Sequence, residues 1–364
     1  MVKMPPSNHS HSVAVVKKDL RKITLSDLQA FMAACGQPAF RAKQIHEWLW
    51  KKSVTDIAAM TNLPLSLREQ LAAQFEVRPV SIAQQQTSHD GTIKLGLRLH
   101  DQHLVEGVLI PTETRMTACV SSQVGCSLTC KFCATGYMER VRNLDAAEIY
   151  DQVVIIDRLA KQRYQKPLTN IVYMGMGEPL LNYANVLESI RLITSPAGLG
   201  WSPKRITVST AGIAKMIRKL GDDKVKFNLA LSLHAANDQK RNQIMPINES
   251  NSLVALRDAL KYFYAQTKGE ITFEYIVFYK FNDTLQDAEE LYRFTKHVPV
   301  KVNIIEYNPI SEAQYANTDP ATLDKFAAYL AERGVVVNIR RSRGKDIDAA
   351  CGQLAIRNQS QLEA

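Results

Sequence analysis

Cys126, Cys130 and Cys133 gather three thiols into the eight residues "CSLTCKFC", in a 364-residue chain with only six cysteines. Thiolates at this spacing in a loop can converge on one inorganic centre, and two chemistries compete for them. A structural zinc asks for a fourth protein ligand. The nearest candidate, Cys119, lies seven residues upstream in an apparent strand, and no histidine is close. Iron–sulfur clusters are usually held by four thiolates, so three leave one iron without a protein ligand. Such an open position is how a metal centre binds substrate rather than merely stabilising a fold. A zinc knot completed by a distant ligand is the weaker reading, because small zinc folds rarely sit inside βα repeats.

The other cysteines divide by context. Cys351 stands in "RRSRGKDIDAACGQLA", after Arg340, Arg341, Arg343 and Lys345. A late cysteine flanked by small residues suggests a mobile segment with a reactive thiol; a buried, inert cysteine fits the sequence equally well. Cys119 heads the three-cysteine loop and can face the same cavity. Cys35 lies on the apolar stripe Leu28, Phe31, Met32 and reads as core.

The elements that must position these thiols follow from the periodicity. Residues 1–20 read as a polar, flexible lead-in without the apolar stretch of a secretory signal. Residues 21–85 read as a helical module. Its first helix has Ser26 as a candidate N-cap and Gly36 as its stop, and "FRAKQIHEWLWKK" and "SLREQLAAQF" follow. Arg41, Lys43, Lys51 and Lys52 on this module either track phosphates or form a solvated charged face. Residues 86–345 open with a β-hairpin, "TIKLGLRL" and "LVEGVLI", and continue as six strand–helix units with a trailing strand, "GVVVNIRR". That succession implies a parallel sheet. A partial barrel is favoured, and a doubly wound sheet is the competing topology. Residues 346–364 form a tail carrying Cys351.

The loop cysteines after the first strand of a βα barrel, with Phe132 before the last of them, resemble the signature of the radical S-adenosylmethionine (SAM) enzymes. The resemblance implies a 4Fe–4S cluster whose unique iron binds SAM, the cofactor carrying the chemistry and the protein orienting it. Polar residues at strand ends support it, because functional side chains of parallel barrels collect at the C-terminal ends. Gly175, Gly177 and Glu178 follow the second strand in "YMGMGEPLLN". The glycines would let backbone approach a ligand closely, and the Glu178 carboxylate would accept from the SAM amino group. Ser209, then Ser232, Leu233 and His234, then Asn308 follow at the ends of the third, fourth and sixth strands.

"TACVSSQVGCSLTCKFCATG", "MGMGEPLLNY", "RITVSTAGI", "LSLHAAND", "MPIN" and "DIDAACGQLA" in this order resemble the RlmN-type dual-specificity RNA methyltransferases, and the match runs through the helical module as well. The resemblance implies a partial (βα)6 radical SAM barrel with an N-terminal helical accessory domain that contacts RNA. It implies two SAM molecules per turnover. One methylates Cys351 by displacement. The second, on the cluster, yields a radical that takes hydrogen from that S-methyl group, and the methylene radical adds to C2 of an adenine. Cys119 then resolves the protein–RNA link, leaving a Cys119–Cys351 disulfide, and Glu106 matches the position of the proton acceptor. Whether Glu106 or Cys119 removes the C2 proton stays open.

The substrates implied are 23S rRNA near the peptidyl-transferase centre and the tRNA adenosine 3′ of the anticodon, each splayed out for attack at a cost of roughly a few kcal/mol. An electron donor such as flavodoxin is implied too. The helical module and the Arg-rich stretch before Cys351 are the expected RNA contacts. Lys plus Arg exceed Asp plus Glu by 45 − 36 = 9, which favours polyanionic partners. No apolar run approaches the roughly 18 residues of a membrane span, so a cytoplasmic enzyme, and a monomer, are expected. A Cfr-type enzyme acting at adenine C8, a radical SAM enzyme with another substrate, and a non-enzymatic metal-bound RNA-binding module are the alternatives.

Overall fold

The computed structural model describes residues 17–356, so most of the expected lead-in lies outside the described residues. By contact the chain divides into two units, 1–78 and 79–364. In the first, Lys18–Asp19 (β1) pairs in parallel with Phe75–Glu76 (β2), so the last residues assigned to the lead-in are structured, and Leu20 is buried. Between these strands come helices Leu25–Ala34 (α1), Phe40–Trp50 (α2) and Leu65–Gln74 (α3).

Thr24, not Ser26, caps α1, because its hydroxyl accepts from the Asp27 N–H at 3.1 Å. Cys35 is half-buried at the C-cap rather than in the core, which Leu28 and Met32 fill. Arg41 is half-buried and donates to the Asn62 carbonyl, so Lys43, Lys51 and Lys52 are the exposed cations of the expected four. The boundary expected at residue 85 falls inside a strand, Ser81–Thr87 (β3), of the second unit.

That unit is built on one ten-stranded sheet. β3, Ile93–Arg98 (β4), Leu104–Pro111 (β5) and Met116–Cys119 (β6) pair antiparallel, one strand more than the expected hairpin. A small ribbon of Gln123–Val124 (β7) and Arg142–Asn143 (β8) follows. The helix Ala146–Tyr164 (α4) returns the chain to Asn170–Tyr173 (β9), which pairs in parallel with β6.

The alternation then runs through Tyr183–Thr194 (α5), Ile206–Thr210 (β10), Ala214–Asp222 (α6), Asn228–Ser232 (β11), Asp238–Ile244 (α7) and Leu253–Thr267 (α8). It ends with Ile271–Val277 (β12), Leu285–Thr295 (α9), Lys301–Glu306 (β13), Pro320–Ala331 (α10) and Val336–Arg340 (β14). From β6 to β14 the strands lie in sequence order and every pair is parallel. A doubly wound sheet would reverse direction at a switch point; this one does not. Six βα units plus the trailing strand match the expected part-barrel.

The alternation follows from burial. β4 reads buried, half-buried, buried along its length, and β12 is an apolar run with Glu274 embedded in it. Strands covered on both faces in this way need helices over them.

Candidate active site

The C-terminal ends of the parallel strands open onto one cavity of about 890 Å³, its mouth included. Cys126, Cys130 and Cys133 line it from the loop after β6. Gly177 and Glu178 reach it from the end of β9, and Ser209, Ser232 and His234 from the ends of β10 and β11. Cys351 enters from the tail. Glu106, Cys119, Leu233 and Asn308 do not line it. Leu233 is fully buried. Asn308 lies against the tail, its Nδ2 donating to the Cys351 carbonyl at 3.1 Å.

Gly175 and Gly177 both line the cavity, and their missing side chains also admit protein. A Cβ on Gly175 would sit 2.6 Å from Ser121 Oγ, and one on Gly177, whose φ is +94°, 2.5 Å from Gln123 Cβ. The room left by their missing side chains is filled by the chain after β6, so they let that segment pack close. Gln123 exploits this approach, its Oε1 accepting from the Glu178 N–H at 2.8 Å.

Glu178 is buried, and its two carboxylate oxygens accept from the N–H groups of Leu180 at 3.0 Å and Ala211 at 2.7 Å. With a further hydrogen bond from the Thr210 side chain, these orient the carboxylate and still leave it acceptor capacity for a cationic amino group. Ser209 and Ser232 stand on neighbouring strands, Oγ to Oγ 3.4 Å. His234 accepts at Nδ1 from the Ile276 N–H at 3.1 Å, so a neutral ring carries its proton on Nε2. Burial, reinforced by Arg241, pushes its pKa down to about 3. The ring stands edge-on to Phe132, centroids 4.7 Å apart.

The three loop thiols suit a metal cluster. Burial raises each of them, with Cys126 pushed up to about 11, so bare they stay protonated. All three line the cavity from one loop, beside the buried Glu178.

A second set of groups lies beside the cavity. Cys119 is opposite Val108 in the β5–β6 ladder, which puts Glu106, two residues on, diagonally across the same face. Burial raises Glu106 to about 7 against the pull of Lys94, whose Nζ is 3.5 Å from Oε1, and of the Ala355 backbone N–H. Burial, with the nearby Cys351 thiol, raises Cys119 to about 12. The Arg340 guanidinium is close enough to both thiols to favour their ionised forms, and it pairs with Glu274 at 3.3 Å.

Cys351, the one exposed cysteine among the six, lies on a segment that is bonded rather than loose. Ala134 N–H donates to the Gly352 carbonyl at 2.7 Å and Thr135 Oγ1 to the Leu354 carbonyl at 2.5 Å. The basic stretch before it is committed as well. Arg340 pairs with Glu274, Arg341 and Lys345 with Glu306, and Arg343 with Asp90. Each cation of this stretch thus has a carboxylate partner, with Arg341 and Lys345 sharing Glu306.

Sequence reasoning missed Glu274, Arg241, Gln123 and Lys94. A carboxylate inside the apolar run "ITFEYIVF" was the available signal for the first. No local pattern marks the others.

A parallel βα barrel whose first strand leads into a three-cysteine loop, beside a cavity ringed by strand-end polar groups, defines a radical SAM enzyme. The comparisons agree. The radical SAM superfamily model matches residues 120–295, and the model described as "Ribosomal RNA large subunit methyltransferase N-terminal domain" matches 18–77. A probable dual-specificity RNA methyltransferase RlmN from Cytophaga hutchinsonii is 61% identical over 96% of both chains. Another, from Nautilia profundicola, is 40% identical over 87% of this chain and 93% of its own. The crystal structure of a radical SAM methyltransferase from Sphaerobacter thermophilus superposes with a TM-score of 0.87 at 39% identity, covering 93% of this chain and 99% of that one. The chain belongs to the RlmN family of dual-specificity RNA methyltransferases. It is a SAM-dependent RNA methyltransferase of the radical SAM superfamily, a class that uses SAM and a 4Fe–4S cluster. Among the described residues no helix is long and apolar enough to cross a membrane.

Proposed function

We propose that the enzyme methylates C2 of an adenine, in 23S rRNA near the peptidyl-transferase centre and in tRNA at the adenosine 3′ of the anticodon. The observation that carries this reading is the grouping of thiols: three from one loop and Cys351 from the tail line one cavity, with Cys119 close behind. The relatives' names, dual-specificity RNA methyltransferase, favour two RNA substrates.

Cys126, Cys130 and Cys133 hold the cluster, and Gly177, Glu178, Ser209, Ser232 and His234 frame SAM, with Leu233 and Asn308 supporting that wall from behind. When bound there, the cluster supplies the electron that cleaves SAM and so the means to abstract a hydrogen atom. Two SAM are used per turnover. Cys351 accepts a methyl group on sulfur from the first. After loss of a hydrogen atom its methyl carbon would bond to the adenine. The adduct would give up the C2 proton and one electron, the electron returning to the centre that supplied it. Asn308 steadies the tail at the Cys351 carbonyl.

Glu106, at about 7, is the better acceptor for the C2 proton, because Cys119, at about 12, is protonated until late. The Cys119 thiolate then attacks the Cys351 sulfur. An S–S bond forms as the S–C bond breaks, and the carbon leaves with the electron pair and takes a proton. Arg340 favours the thiolate form of both sulfurs. The protein acts as a monomer and takes electrons from a small acidic donor such as flavodoxin.

The test is anaerobic turnover of reconstituted enzyme with SAM, reductant and unmodified 23S rRNA fragment or tRNA, followed by nucleoside mass spectrometry. The expected product is 2-methyladenosine from both RNAs. 8-Methyladenosine would move the enzyme to the C8 chemistry, and SAM cleavage without RNA modification would overturn the substrate assignment.

A further inference from the structure

Arg241 on α7 is wholly buried, the bulkiest side chain at that depth among the described residues. Its guanidinium makes four hydrogen bonds. Nε donates to the Leu233 carbonyl at 3.0 Å, Nη2 to the carbonyls of Ala211 at 2.6 Å and Ser232 at 3.2 Å, and Nη1 to Asn248 Oδ1 at 2.6 Å. None of these partners carries charge. Among the described residues no carboxylate forms an ion pair with it, although Asp238 is near enough to be felt. A guanidinium buried without a counter-charge is costly, and carbonyl dipoles compensate only part of that cost. Burial pulls its pKa down to about 10, which still leaves it charged at neutral pH.

Its surroundings show where a counter-charge belongs. Ala211 and Ser232 line the SAM cavity, so the guanidinium lies one layer behind that wall. The Cys130 sulfur is among the groups whose charge it feels. The loop is also tied to the helix that carries it, the Lys131 N–H donating to the Ile244 carbonyl at 3.0 Å. Three thiolates on a 4Fe–4S core make a net anion that becomes more negative on reduction. Net charge and burial are what set such potentials.

We infer that Arg241 is a positioning residue whose buried charge balances the cluster and favours its reduced state. It does not line the cavity, and four of its five N–H donors are engaged, three on backbone carbonyls and one on Asn248. It acts through its field, and by tying the ends of β10 and β11 to the helix under the loop. The inference rests on the assignment of Cys126, Cys130 and Cys133 to the cluster.

The magnitude sets the test. At an effective dielectric of about 20, a unit charge roughly 10 Å away shifts an equilibrium involving one electron by about tenfold. The readout is the reduction equilibrium of the anaerobic holoenzyme, titrated with dithionite–mediator couples and followed by electron paramagnetic resonance without RNA.

Arg241→Gln should lower the reduction equilibrium constant about tenfold, equivalent to ~59 mV for a one-electron couple. Arg241→Lys keeps the charge but not the fork of bonds, and should stay within about threefold of wild type. A Gln variant with a full cluster and an unchanged equilibrium would overturn the inference and leave Arg241 a structural tie. If the Gln variant binds no cluster, Asn248→Asp decides. It sets a carboxylate against Nη1 with the guanidinium in place, so the equilibrium should fall in the same direction, and no change overturns the inference. Wild-type protein that binds no cluster would sink the cluster assignment too, an outcome distinguishable because it precedes any comparison of variants.

Discussion

Residues 125–136 and residues 344–354 bring thiols to the same cavity from two segments held by different means. The loop is held by backbone. Gly125 sits at φ +72°, and a Cβ there would lie 1.9 Å from the Glu139 carbonyl oxygen. Cys133 N–H donates to the Cys130 carbonyl, Gly136 N–H to the Cys133 carbonyl, and Lys131 N–H to the end of α7. The tail is held largely by side chains. Asp346 accepts from Ser88 Oγ at 2.5 Å and from the His89 N–H at 3.1 Å, Asp90 accepts from the Gly344 N–H at 2.9 Å, and Gln353 donates to the Pro309 carbonyl at 3.1 Å.

One of these tail bonds, from the His89 N–H to Asp346, is exposed and the others are half-buried, so water can replace them at a net cost of about 1 kcal/mol each. A clash of backbone against backbone has no such substitute. The difference matches what each segment is asked to do. On the proposed function, three sulfurs keep a constant spacing around a cluster, whereas one sulfur meets SAM, then RNA, then Cys119.

The sharpest break in the comparison is to remove a thiol from each side. Cys130→Ala should abolish both the cluster and methylation, whereas Cys351→Ala should abolish methylation with iron and sulfide content unchanged. Iron assay and nucleoside mass spectrometry on the same preparations separate the two. Loss of the cluster from the Cys351 variant would mean that the tail is part of the cluster site.

Gly125→Ala comes next. The clash and the positive φ make the native loop inaccessible to alanine. The variant should show a large loss of cluster occupancy, read from visible absorbance per protein. Full occupancy would mean that backbone does not set the loop.

Glu106→Gln should cut the methylation rate by roughly 10²–10⁴-fold, the usual worth of a general base. The wild-type rate should rise through about pH 7, where the carboxylate ionises, and the variant should be flat there. The same shift acts on folding. A carboxyl raised from 4.5 to about 7 by burial stabilises the fold most below pH 4.5, and that contribution is lost as the pH rises to about 7. A pH–rate profile unchanged by the substitution would remove Glu106 from the proton transfer.

The smallest effect is expected from Asp90→Ala. Burial opposes ionisation of Asp90, but hydrogen bonds from Thr92, Gly344 and Ser88 prevail and hold it down at about 2. That contribution is complete at neutral pH and would be lost only as the pH fell from 3.8 through 2. Removing the carboxylate should speed hydrogen exchange in 344–354 and leave 125–136 unchanged, with the melting temperature within about 4 °C of wild type. Equal acceleration in both segments would erase the distinction between them.

The sequence carried the parts whose signal is local. Strand–helix alternation marked the six units and the trailing strand, and cysteine spacing marked the loop that brings three thiols to the cavity. The tail cysteine stood out by its position. What stayed hidden depends on neighbours distant in sequence. Arg241 reads as an ordinary helix cation until three strand-end carbonyls surround it. That Arg340, Arg341, Arg343 and Lys345 are ion-paired was not legible, because their carboxylates, Glu274, Glu306 and Asp90, lie far away in the chain. Gly175 and Gly177 were legible as close approaches, but not that the approaching group is protein. Ser26 and Thr24 are both sound caps by type, and only the hydrogen bond to Asp27 decides between them.

The division of labour among the thiols is tested most directly by locating the methyl group. Anaerobic holoenzyme is incubated with methyl-labelled SAM and reductant in the absence of RNA, then digested for peptide mass spectrometry. The account predicts label on Cys351, none on Cys119, Cys126, Cys130 or Cys133, and transfer of that label to adenosine when RNA is added. An unlabelled Cys351 in enzyme that still methylates RNA would contradict it.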